Sequence, residues 1–145
     1  MGAIPAQSNP QTGRSFREIE EAVAKSRSIL DMGENWDGEG ATGYSEETWK
    51  RATQFLLRHA TYILKELGTV IDIPVIGPGP DGSIDLHWKT DRFEMLLNFP
   101  KDVNERANFY GDDFGSIYIK GTLDPAAYHH GLLLWLKSTA PSPSR

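Results

Sequence analysis

The tightest constraint on this chain is a change in the spacing of its apolar residues at Gly68. Before Gly68 large apolar side chains recur every three or four residues, and after it they alternate, returning to the helical period only in the last apolar run. A chain that changes period in this way sorts its helices and strands into separate blocks, which predicts an α+β fold rather than alternating βαβ units.

The first block divides into two amphipathic segments. Phe16, Ile19, Val23, Ser26 and Leu30 lie on one stripe among charged residues, predicting a helix from about Ser15 to Met32 that ends at Gly33. Ser15 and Glu18 have the spacing of a capping box. Ser45, followed by Glu46 and Glu47, opens a second helix that runs to Leu67 with Trp49, Ala52, Leu56, Ala60, Ile63 and Leu67 facing inward, and Gly68 closes it.

Beyond Gly68 the sequence reads as four or five antiparallel strands in a meander. Val70 to Ile76 is β-branched, with Pro74 marking an edge or a break. Pro78 to Gly82 reverses the chain, and Ile84, Leu86 and Trp88 alternate with polar residues. A turn at Thr90-Asp91 would pair Trp88 with Phe93, Leu86 with Met95 and Ile84 with Leu97, and would place His87 opposite Glu94. Ala107 to Tyr110 and Ser116 to Lys120, joined by Gly111 to Gly115, complete the sheet, with Ile117 and Ile119 on one face. A third helix should start at Asp124-Pro125 and turn Tyr128, Leu132, Trp135 and Leu136 inward. The expectation is thus one α+β domain over residues 15–138, with helices on one sheet face and mobile tails at 1–14 and 139–145.

Two motifs resemble a known pattern. Asn35-Trp36-Asp37-Gly38-x-Gly40-Ala41, and then Pro74-x-Ile76-x-Pro78-x-Pro80-Asp81-Gly82-x-Ile84-x-Leu86-x-Trp88, are similar to those of a family of small uncharacterised bacterial and phage proteins. The resemblance runs from about Leu30 to Phe99 and implies a shared fold without an activity or cofactor. Glu39, Ser83 and His87 depart from the family's usual aromatic, glycine and acidic residues.

Composition excludes several chemistries. With 145 residues and no cysteine, the chain can bury a core without a disulfide and has no thiolate for a metal or a nucleophile. His59, His87, His129 and His130 offer no two ligands on one helical face, so neither metal nor cofactor is expected. The net charge of −5, read as spread over helix faces, caps and turns, and the scattered Lys and Arg oppose nucleic-acid binding. No apolar run approaches the roughly 20 residues of a membrane span, and a cytoplasmic location is expected.

Three functions remain. The preferred one is a small non-catalytic module that binds a protein partner or itself, in a bacterial or phage toxin–antitoxin, defence or immunity system. Its candidate residues are Trp36, Asp37 and Glu39 in the glycine-rich loop, and Phe109, Tyr110, Phe114 and Tyr118 around the last hairpin. In each place a structural role competes: Trp36 can plug the core while Asn35 and Asp37 bond loop amides, and the hairpin aromatics can pack on the sheet. An alternative is a small enzyme using Asp85, His87 and Glu94 on the sheet face, where ordinary solvated cross-strand pairs compete with acid–base chemistry. A DNA-associated regulator is the third.

Overall fold

The computed structural model describes residues 15–137, so the expectations for the two tails fall outside the described residues. Three helices and a five-stranded antiparallel sheet form the α+β fold expected from the change of period.

Helix α1 spans Phe16–Ser26, and the Glu18 carboxylate accepts the Ser15 amide at 3.1 Å. It then tightens into a 3₁₀ turn, Arg27–Asp31, earlier than the uniform helix expected to Met32. Ser26 marks the change: its hydroxyl donates to the Val23 carbonyl at 2.6 Å and accepts the Trp49 indole N–H at 2.8 Å. Helix α2 spans Glu46–Leu67, between the Ser45 cap and Gly68, whose φ of 69° is the left-handed conformation that glycine adopts without strain. Its buried face includes Ala52, Phe55, Leu56, His59, Ala60 and Ile63, whereas Leu67 is exposed in the last turn, contrary to expectation.

The strands are β1 Val75–Pro78, β2 Ile84–Lys89, β3 Glu94–Phe99, β4 Ala107–Asp112 and β5 Tyr118–Leu123, in simple meander order. Strand β1 begins after Pro74, so the expected Val70 start is corrected: Pro74 has no amide to give to the ladder, and only the segment beyond it pairs. Ile84, Leu86 and Trp88 face the helices with Met95, Leu97 and Phe99. Their register is Ile84 with Phe99, Leu86 with Leu97 and Trp88 with Met95, a two-residue shift from the expected pairing. Thr90 sets it, since its hydroxyl accepts the amides of Arg92 and Phe93 at 3.1 Å each and its own amide donates to the Phe93 carbonyl at 2.9 Å. The longer turn that results takes Phe93 out of the ladder.

Between Asp124 and His129 the chain is a turn and not the start of a helix. Asp124 accepts the Ala126 amide at 2.9 Å, while α3 spans His130–Lys137. His129 caps it instead, its ring Nδ1 accepting the Leu132 amide at 3.2 Å. Tyr128 is consequently exposed, contrary to expectation, while Leu132, Leu133 and Leu136 are buried.

All three helices lie against the inner face, leaving the outer face of the sheet to the alternate residues. One row of it runs Val75, His87, Leu96, Tyr110, Lys120 across the five strands.

Candidate functional site

The expected site residues fall in three places. At one end of the sheet, the loop between the 3₁₀ turn and α2 meets the β1–β2 turn. Asn35 (φ 59°) accepts the Gly40 amide on its side chain at 2.6 Å, and Asp37 accepts the amides of Glu39 and Ala41 at 2.8 and 3.2 Å. Those residues therefore hold the loop shape, as the structural reading of the motif required. Trp36 does not plug the core: its indole donates to the Thr42 carbonyl at 3.2 Å and the side chain is 47% exposed.

The loop is docked as well as shaped. The Tyr44 hydroxyl donates to the Gly79 carbonyl at 2.7 Å, and Lys101 reaches Glu34 at 2.8 Å. Partial burial first, then the carboxylates of Asp85 and Asp81, push the Tyr44 phenol above its ordinary pKa, so it stays a donor. The Lys101 bond and then the Gly43 amide pull Glu34 below the usual carboxylate range. Gly82 (φ 81°) permits the contact, because a Cβ there would stand 2.8 Å from the Gly43 carbonyl oxygen. The two sequence motifs thus fold onto each other. The segments meeting here, 34–44, 79–85 and 100–106, carry seven carboxylates against Lys101 and Arg106, with Arg51 reaching in from α2 to the carbonyls of Pro100 and Glu105. Most of the chain's negative excess is gathered at this end, where the sequence reading had it spread.

The outer sheet face holds the acid–base candidates, and the structure divides them. His87 Nε2 lies 2.6 Å from a Glu94 carboxylate oxygen, with each side chain about one-third exposed. The partner directly opposite His87 is Leu96, so this is a diagonal pair and not the cross-strand pair expected. Asp85 belongs elsewhere: it accepts from the Asn98 side-chain amide at 2.8 Å, and Asn98 donates equally to the buried Ser83 hydroxyl. Ser83 in turn donates to the Pro80 carbonyl at 2.6 Å, so its hydroxyl serves the β1–β2 turn. Asp85, His87 and Glu94 do not form one constellation. Among the described residues no group of three or more His, Asp or Glu is placed to hold a metal ion, and no helix is long and apolar enough to cross a membrane.

The opposite end of the sheet carries the hairpin aromatics. Strands of this length separate them from Trp36 by roughly 17–20 Å. Phe109 is half-buried on the inner face, its ring 5.2 Å from that of His129 and fitted over Gly121, and so leaves the group. Tyr110 and Tyr118 lie on the outer face with rings 6.4 Å apart. Tyr110's phenol is raised in pKa, by its surroundings first and then by Asp112, whose carboxylate it reaches at 3.3 Å. Phe114 sits in the β4–β5 loop with φ 64°, and Ile117 closes that loop.

Sequence reasoning missed two residues here. Leu134, on the outward side of α3, lines a cleft of about 310 Å³ together with Phe93, Ile117, Trp135, Arg92 and Asp113. Phe114, Ile117, Tyr118 and Leu134 each leave more than half of their surface exposed. Arg92, one of the scattered basic residues of the sequence, lines the same cleft as Asp113, a place that depends on the β2–β3 register.

His59 is a further buried polar group. Its ring stacks on Phe55 at 3.9 Å, Nδ1 lies 2.9 Å from the Phe55 carbonyl oxygen, and Nε2 accepts the His129 amide at 3.1 Å. An amide N–H can only donate, so Nε2 is the bare nitrogen and Nδ1 carries the hydrogen. Burial first, opposed by the Phe55 bond and aided by Arg58 and His129, lowers its pKa to about 4. The ring is a neutral tie between α2 and the start of α3.

Against this geometry, no family model, no curated protein and no solved structure matches the chain.

Proposed function

We propose that this protein is a small non-catalytic binding module that docks another polypeptide through the β4–β5 hairpin end of its sheet. The observation that supports this is the exposure of Ile117 and Leu134 on a cleft floored by Phe93 and Trp135, with Phe114 and Tyr118 exposed on the same hairpin. Covering one such side chain is worth roughly 1.5–3 kcal/mol when it is fully buried, so a few of them supply the anchors that dominate a protein interface. Phe93 and Trp135, packed edge to face at 5.8 Å, give that cleft a firm floor.

Acid–base catalysis has less support, because Asp85 is bonded to Asn98 and does not join the His87–Glu94 pair. The Trp36 end has an exposed indole, but Asn35 and Asp37 there are occupied in holding the loop. The bacterial or phage pairing suggested by the motif resemblance is the setting in which to look for the partner.

Affinity capture of the tagged protein from its host, with Ile117→Asp beside the wild type, tests the reading. The expected result is a stoichiometric polypeptide held by the wild type and lost by a variant of unchanged circular dichroism. Retention of that polypeptide by Ile117→Asp, or a protein that associates neither with another polypeptide nor with a second copy of itself, overturns it.

A further inference from the structure

We infer that the occupant of this hairpin end is a second copy of the chain, seated head to head about a two-fold axis. The inference rests on reading that end as a binding surface, and adds the identity of what covers it. A two-fold interface uses one patch twice, so the patch must supply both a projection and a recess, and both signs of charge.

This patch has each of them. The projection is Phe114, at the tip of a loop whose shape is fixed: its amide donates to Asp112 at 2.8 Å, and Asp113 accepts the amides of Gly115 and Ile117 at 2.9 and 3.2 Å. The recess is the cleft of about 310 Å³ between that loop, the β2–β3 turn and α3, roomy enough for a phenyl ring. Arg92 and Asp113 line the same cleft yet form no ion pair with each other. A two-fold axis brings Arg92 of one copy toward Asp113 of the other, and the reciprocal contact forms at the same time. A partner carrying one sign of charge would match only half of this rim. Because the loop is already held by its own hydrogen bonds, little ordering opposes the association.

Sedimentation equilibrium of the full chain from about 1 to 100 μM tests the inference, with Leu134→Glu and Arg92→Glu as variants. Both positions are exposed in the single copy, so equal thermal melts establish that the variants fold. The wild type should reach twice the chain mass in this range, and each variant should weaken association at least about 30-fold. A wild type that stays at the chain mass overturns the inference, as does a dimer that neither variant weakens. A monomer that nonetheless loses a captured polypeptide on Ile117→Asp would overturn the second copy alone. A monomer with no such polypeptide would overturn the binding reading as well.

Discussion

Acidification should loosen this fold in part through His59, whose contribution follows from the shift of its pKa. The imidazole is fully buried, its Nε2 already accepts the His129 amide, and its pKa is about 4 against an ordinary 6.5. A second proton would have to sit on Nε2, facing an N–H. The unfolded chain takes that proton near pH 6.5 and the folded chain only near 4, so between those values the unfolded state binds more protons. Stability therefore falls as pH drops through this window, and this contribution levels off below it. The loss is about 2 kcal/mol by pH 5 and about 3 kcal/mol by pH 4 relative to pH 8. Carboxylates titrate in the same range, so the assay compares urea unfolding of wild type and His59→Gln at pH 8, 6.5, 5 and 4. The variant should be less stable at pH 8, having lost a buried ring, and the gap should close by about 3 kcal/mol toward pH 4. Parallel curves for the two proteins would show that His59 does not resist protonation in the folded state.

Two other perturbations probe the sheet. Gly82→Ala would press a Cβ against the Gly43 carbonyl oxygen at a positive φ, and should cost about 1–3 kcal/mol in urea unfolding; an unchanged midpoint would deny that the two motifs are locked together. His87→Ala should cost only about 0.2–1 kcal/mol, the worth of an exposed cross-strand pair, and a loss well beyond that would return the outer face to consideration as a site.

The order of elements was legible because it depends on local chemistry. Ser15, Ser45, Gly68 and Pro74 act on their own backbone, and the alternation in β2 and β3 fixes which side chains face the helices. The register was not legible, because a slip of two residues keeps every side chain on its face. What decided it was the Thr90 hydroxyl, bonded to two turn amides. The start of α3 failed for a tertiary reason. Asp124-Pro125 has the residues of a helix cap, but the His129 amide is held by His59 from α2, and the helix begins where that bond allows.

The site was legible in part. The hairpin aromatics were candidates from the sequence, and of these Tyr110, Phe114 and Tyr118 are exposed while Phe109 is half-buried. Leu134 escaped notice because an apolar run in a short helix does not reveal which residue is left outside. His59 carried a usable signal: it lies four residues after Phe55 and four before Ile63, on the buried stripe of α2.

Hydrogen–deuterium exchange on the associated protein, compared with the dissociated chain, maps the surface that association covers. Added amide protection is expected in 112–119 and across the described part of α3, with 34–44 and the β2–β3 outer face unchanged. Protection gained at the Trp36 loop or over Glu94–Phe99, with none at the hairpin end, would contradict it.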